Sequence, residues 1–253
     1  MQMNYLITSL QENEKFKEVV ENVNEKISPI AISGLSDVSK VSIISSILES
    51  TKRKICVLTY NEIQAKKLVK DLKYFFKQVY FLPKREIAPY DYIAESKDLP
   101  YERIAVLNKI ILQEKSKEPI IIVTTIEAAM QKMISKEELY ENIVDFKIGE
   151  TYSIENLKQT FVKLGYERTN LIEGQGQFSI RGGIVDVGLS NKIGVRIEFW
   201  GDEVDSIRYF KIDSQRSTEM IQNITIFPAH EFIVQNIYNA IKKIEENYSN
   251  VDE

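Results

Sequence analysis

The chain has 253 residues, 43% of them hydrophobic and 28% charged, enough for one large domain or two ordinary ones with a packed core. A net charge of −4 and a pI near 5.4 exclude a generally basic nucleic-acid-binding domain. A single cysteine, Cys56, excludes an intramolecular disulfide, and with a single histidine, His230, a zinc site built from those two residue types is excluded by count. Cys56 lies in the apolar run Ile55–Leu58 and is expected to be buried. The N-terminus lacks a basic then apolar leader, and no stretch approaches the roughly 18 apolar residues that span a bilayer, so a cytoplasmic protein with no membrane partner is expected.

The first half alternates apolar runs with amphipathic segments. Pro29–Ile32 is a short apolar run ending at Gly34, and Asp37–Ser50 places Val38, Val41, Ile44 and Leu48 on one helical face. Lys54–Thr59 reads as a strand. Asn61–Lys77 reads as a helix with Ala65, Leu68, Leu72 and Phe76 inward and Lys66, Lys70, Lys73 and Lys77 outward. Val79–Leu82 is a strand closed by Pro83; Tyr101–Gln113 is a helix, Pro119–Thr124 a strand and Ile126–Ile134 a helix. Apolar strands alternating with helices imply a parallel sheet covered on both faces.

Near Ile148-Gly149-Glu150 the pattern changes. The helix Ile154–Leu164 is followed by Gly165, a C-cap signal. Strands then dominate: Thr169–Glu173, Gln177–Arg181 after Gly174-Gln175-Gly176, and Ile184–Val187 after the Gly182-Gly183 turn. Val195–Trp200 alternates Val195, Ile197 and Phe199 against Arg196, Glu198 and Trp200, and Gly201-Asp202 turns it into Glu203–Ile212 as a β-hairpin. A final segment, Ile233–Tyr248, reads as helix. The expected layout is an α/β, degenerate P-loop-like parallel-sheet domain over 1–142, a small α+β domain over 143–228, and the start of a further domain over 229–253.

The junction Ile30–Val41 sits where a phosphate-binding loop would sit. G-x-x-x-x-G-K-[ST] works because its glycines let backbone N–H groups wrap phosphate, its Lys neutralises charge and its hydroxyl binds Mg²⁺. Here Gly34 and Lys40 are in register, but Ser39 replaces the second glycine and Val41 the hydroxyl. Asp37 adds a carboxylate where polyphosphate would lie. The simpler expectation is a helix start capped by Ser36 or Asp37, with no nucleotide, metal or other cofactor in this chain. No other constellation points to catalytic residues. The lysine face is expected to be a solvated helix face.

Ordered blocks then carry a resemblance. They include Gly34–Lys40, Phe81-Leu82-Pro83 with Pro89-Tyr90-Asp91, Tyr101–Leu107, Ile122–Thr125, Leu164–Arg168, Glu173–Val187, Arg196–Arg208 and Phe227–Glu231. The series resembles the N-terminal part of bacterial transcription-repair coupling factors, a module similar to the damage-recognition protein UvrB, and is most specific from Tyr166 to Arg208. UvrB would carry an intact phosphate loop and a long aromatic hairpin after the Tyr-Asp-Tyr block; here only Asp91–Pro100 separates Tyr90 from Tyr101.

The resemblance implies a helicase-like first domain followed by a docking domain for the nucleotide excision repair protein UvrA. The family's docking arginines match Arg168 and Arg181, with Phe178 and Ser179 beside them; a third UvrB arginine falls at Ser179. Without the resemblance, both arginines are expected in ion pairs with Glu167, Glu173 or Asp186. The family further implies an ATP- and Mg²⁺-dependent DNA translocase and an RNA polymerase-binding region elsewhere in the parent, whose later domains mask the docking surface. Two alternatives stand beside it: a nucleotide-dependent DNA-binding enzyme of the UvrB kind, and a DNA-binding module working through the lysine face with strong salt dependence.

Overall fold

The computed structural model describes residues 4–86, 99–113 and 118–231, with 233, 241, 242 and 245. The expected helix Ile233–Tyr248, most of Asp91–Pro100 and most of the segment 229–253 lie outside the described residues. The chain divides into two compact units at Lys132–Met133, earlier than the boundary suggested at 142–143.

The first unit is an α/β layer structure. Helices α1 (Asn4–Gln11) and α2 (Glu14–Asn24) precede α3 (Asp37–Thr51), β1 (Ile55–Thr59), α4 (Glu62–Leu72), β2 (Val79–Leu82), α5 (Leu99–Leu112), β3 (Ile121–Thr125) and α6 (Ile126–Met130). The strands pair in parallel in the order β1-β3-β2. Central β3 is buried at every position, as a parallel strand covered on both faces requires. Val41 and Leu48 of α3, with Ala65, Val69 and Leu72 of α4, pack on Val79, Ile121 and Val123. Polar side chains start the helices: Asn13 accepts from Phe16 N at 3.2 Å and Asn61 from Gln64 N at 2.8 Å.

Four expectations are corrected in this unit. Pro29–Ile32 is not a strand: Pro29 has no N–H to give a ladder, and most of the run is exposed. The phosphate-loop position therefore follows irregular chain. Cys56 is exposed, because β1 is an edge strand whose Cys56 and Leu58 face is uncovered. Helix α4 stops at Leu72 rather than Lys77, and α6 spans only Ile126–Met130 before Ser135 starts α7 (Lys136–Glu141) of the second unit.

The second unit adds β4 (Val144–Lys147), α8 (Ile154–Lys163), β5 (Glu167–Arg168), β6 (Gln177–Arg181), β7 (Ile184–Gly188), β8 (Ile193–Trp200), β9 (Glu203–Lys211), β10 (Ser217–Ile221) and β11 (Asn223–Ile226). Six strands pair in the order β10-β9-β8-β7-β6-β5, antiparallel except for β5 on β6, while β4 and β11 form their own antiparallel pair. Helix α8 ends as Gly165 promised: at φ +84° it gives the left-handed turn, with Gly165 N bonded to Val162 O and Tyr166 N to Phe161 O. A side chain at Gly165 would strike the His230 ring, which gives the sole histidine a packing role.

Alternation fixes the two faces of the large sheet. Phe178, Val185, Val187, Val195, Ile197, Phe199 and Ile207 are buried on one face, together with Phe146, Leu157 and Phe161. Phe161 stacks on Phe178 at 5.2 Å and meets Tyr166 edge-on at 5.7 Å. The expected strand Thr169–Glu173 is instead a loop. Strand pairing ends after Arg168, and the chain crosses the opposite face, where Ile172 packs with Phe210 and Ile212.

Candidate functional site

That opposite face carries the charge. Ladder partners place Ser179, Asp186, Arg196 and Arg208 in one row and Arg181, Ile184, Glu198 and Ser206 in the next. Asp186, 1% exposed, accepts from Arg196 Nε at 2.8 Å and Nη2 at 2.9 Å, and from Arg181 Nη2 at 2.8 Å. This pairing raises the pKa of Arg196 further, and the guanidinium also lies 5.1 Å from the Phe210 ring centroid. Glu198 accepts from Arg208 Nη2 and Ser206 Oγ, both at 2.7 Å.

Burial orders these charges. The carboxylate of Asp186 is inside, whereas the Arg181 side chain is 46% exposed and uses only Nη2 among the described residues. Its other N–H groups remain to meet a partner carboxylate, for which the planar fork is suited. The loop of residues 169–176 closes one end of the face: Ser179 Oγ donates to Asn170 O at 3.0 Å, Gln215 Nε2 to Ile172 O at 2.9 Å, and Gly188 lets Gly174 O approach where any Cβ would clash. The open end carries Ile184 and Trp200.

The four docking residues expected from sequence therefore separate. Arg181 lies on this face, paired to Asp186. Arg168 is exposed on edge strand β5 without an ion pair among the described residues, and its ladder partner is Phe178. Register thus puts Arg168 on the other side of the pleat from Arg181, so one partner can use both only by reaching round the β5 edge. Phe178 and Ser179 are corrected as contact residues. Phe178 is fully buried against Phe161, and Ser179 is 1% exposed beneath Asn170. Their importance is to the fold. Arg196, Glu198 and Arg208 belong to the face as well; the alternation of Val195–Trp200 was the signal that could have found them.

The loop Gly34–Val41 is the other expected site. Gly34 has φ +75°, and Ser36 caps α3, its Oγ accepting from Ser39 N at 3.2 Å and lying 2.8 Å from Ser39 Oγ. Asp37 pairs with Lys67 at 2.9 Å and Lys40 at 3.3 Å, and these partners, Lys67 first, hold its carboxyl below the usual carboxylate range. Val41 is 5% exposed and turned into the core. Beside Lys40 an open cleft of about 300 Å³ is lined largely by aliphatic side chains, including Ile44, Val57 and Leu68.

Among the lysines expected on one solvated face, Lys66 pairs with Glu62 at 3.1 Å and lies 5.3 Å from the Phe81 ring centroid, while Lys66, Lys70, Lys73 and Lys77 are all exposed. Among the described residues no group of three His, Cys, Asp or Glu could hold a metal ion, and no helix is long and apolar enough to cross a membrane.

Comparison with known proteins agrees with this architecture. Residues 144–232 match the family model of the UvrB interaction domain, the span that holds the charged sheet. The chain is 30% identical over 249 residues to the transcription-repair-coupling factor of Bacillus subtilis (strain 168), covering 96% of this chain and 21% of that protein. It is 28% identical over 235 residues to the transcription-repair-coupling factor of Staphylococcus aureus (strain bovine RF122 / ET3-1), covering 92% and 20% respectively. The chain thus spans about a fifth of the length of the curated relatives it matches. Residues 144–232 are thus similar to the UvrB interaction domain, and the whole chain is similar to part of the transcription-repair-coupling factors.

Proposed function

We propose that this chain is a non-catalytic docking module that recruits UvrA, through the charged sheet face of its second unit, to RNA polymerase stalled on DNA. The observation that carries this reading is Arg181: an exposed guanidinium steadied by a buried carboxylate, with donors left over, in a span similar to the UvrB interaction domain. Such an arrangement suits an acidic protein surface. Arg168 adds a second cation at the β5 edge. In this reading the DNA translocase, its ATP and Mg²⁺, and the polymerase contact belong to other parts of a larger parent, whose later domains cover the face until it is needed.

The proposal includes the absence of a nucleotide site here. The residues do not fit Mg²⁺-nucleotide: the Ser36 hydroxyl already takes an N-terminal N–H of α3, Asp37 would oppose phosphate, both nearby lysines are paired to Asp37, and Val41 offers no metal ligand.

Calorimetric titration of the chain with UvrA tests the reading. Saturable binding is expected, weakened by Arg181→Ala and more by the Arg168→Ala/Arg181→Ala pair, each interface arginine contributing about 2 kcal/mol if it is a hot spot. Unchanged binding by the double variant would remove the assignment.

A further inference from the structure

We propose that Trp200 is the aromatic anchor of the docking face, extending the Arg181 site so that it takes a partner surface combining carboxylates with an apolar recess. The inference rests on the UvrA-docking reading and deepens it. Trp200 is the chain's only tryptophan and is 85% exposed, a costly position for so large an apolar side chain.

Its place is set by register. Along β8, Arg196, Glu198 and Trp200 alternate with buried Val195, Ile197 and Phe199, so Trp200 projects from the charged side. Phe199 N donates to Gly183 O at 2.7 Å, and Ile184 is the ladder partner of Glu198. The Arg181–Ile184 turn is thereby brought beside Trp200. Any Cβ at Gly183 would meet Phe199 O, so the close approach requires glycine there.

The backbone of the hairpin that carries Trp200 is fastened at its end. Gly201 turns the hairpin at φ +63°, and the segment 149–152 fastens its end through Gly149 N to Val204 O at 2.8 Å, Val204 N to Glu150 O at 2.9 Å and Tyr152 N to Asp202 O at 2.8 Å. Tryptophan and arginine are the residue types enriched at interface centres, and here they share one face of the sheet, with β7 between the strands that carry them. Arg181 lies outside and its Asp186 partner inside, so the complement is acidic on the Arg181 side of Trp200, while exposed Glu203 is the ladder partner of Trp200 on the other. A docked surface bearing carboxylates beside an apolar recess satisfies both groups at once.

The test uses the full chain and purified Bacillus subtilis UvrA. Sedimentation measures binding independently, while fluorescence follows Trp200, with Trp200→Phe as the blank. The expected result is a blue-shifted Trp200 emission on binding and a loss of about thirtyfold in affinity in Trp200→Ala, with its unfolding temperature unchanged. If UvrA binds wild type and Trp200→Ala equally and the emission stays fixed, the anchor is overturned while the docking reading stands. If wild type does not bind UvrA, both fall. Quenching by single-stranded DNA at physiological salt, without any UvrA response, would reassign Trp200 to base stacking and overturn the proposal.

Discussion

Arg196 and Asp186 form a two-point ion pair between adjacent strands, Nε to Oδ1 at 2.8 Å and Nη2 to Oδ2 at 2.9 Å, and Arg181 shares the same carboxylate. The inner pair sets the geometry. The outer arginine is the group that a partner can reach.

Removing the shared carboxylate should therefore cost much more stability than removing the exposed arginine. Asp186→Ala leaves Arg196, whose side chain is 18% exposed, without its counter-charge, and is expected to destabilise by about 3–5 kcal/mol. Arg181→Ala should cost less than about 1 kcal/mol. Urea unfolding of the two variants checks this, and equal losses would contradict the division into an inner and an outer pair.

Phe178 gives a contrasting expectation, since sequence placed it among the contacts and the fold places it beneath them. Truncation to Ala removes the stack on Phe161 and should lower stability by about 3–5 kcal/mol. Measured well below its unfolding transition, the remaining folded Phe178→Ala should keep wild-type affinity for UvrA. A folded variant with tenfold weaker binding would put Phe178 back in the interface.

For the loop at α3, Ser36→Ala should cost about 1 kcal/mol through the lost cap. Millimolar Mg-ATP should leave the unfolding temperature of both wild type and Lys40→Ala where it is. A rise in wild type that disappears in Lys40→Ala would establish nucleotide binding and the UvrB-like alternative.

Tyr152 supplies a pH signature. Burial, then the hydrogen bond to the Glu150 carboxylate, pushes its phenol up from 10 to about 12, with the single O–H shared between Glu150 Oε2 at 2.9 Å and Asp145 O at 2.8 Å. Because the folded value is the higher one, this contribution to stability is complete below pH 10 and is lost as pH rises through about 12. Unfolding midpoints should fall over that window and fall less in Tyr152→Phe. Parallel declines in the two proteins would refute the assignment, and the phenolate absorbance of the wild-type-minus-variant difference locates the titration itself.

Much of this architecture is legible in the residues. The strict alternation of Val195–Trp200, the Gly201-Asp202 turn and Gly165 each dictate one local geometry, and β8, the hairpin and the end of α8 follow them. Long-range pairing is not legible in the same way. Asn223–Ile226 becomes a strand because Val144–Lys147 lies alongside it, and Thr169–Glu173 leaves the sheet because Ile172 finds Phe210 and Ile212 on the far side. Cys56 looked interior from its neighbours alone, yet exposure depends on whether another strand or helix covers β1.

At the site, the same limit applies to Arg168 and Arg181. Each residue type speaks for a carboxylate-binding surface, but only register reveals that β5 and β6 turn them to opposite sides. Ser179 likewise reads as a surface hydroxyl until Asn170 is seen to roof it.

The 169–176 crossing has a geometric consequence for any visitor. With Ile172 seated on Phe210 and Ile212, that stretch stands as a fence across one end of the charged face, while the end that carries Arg181 and Trp200 is left open. Under the docking proposal, that barrier confines a partner to the open end.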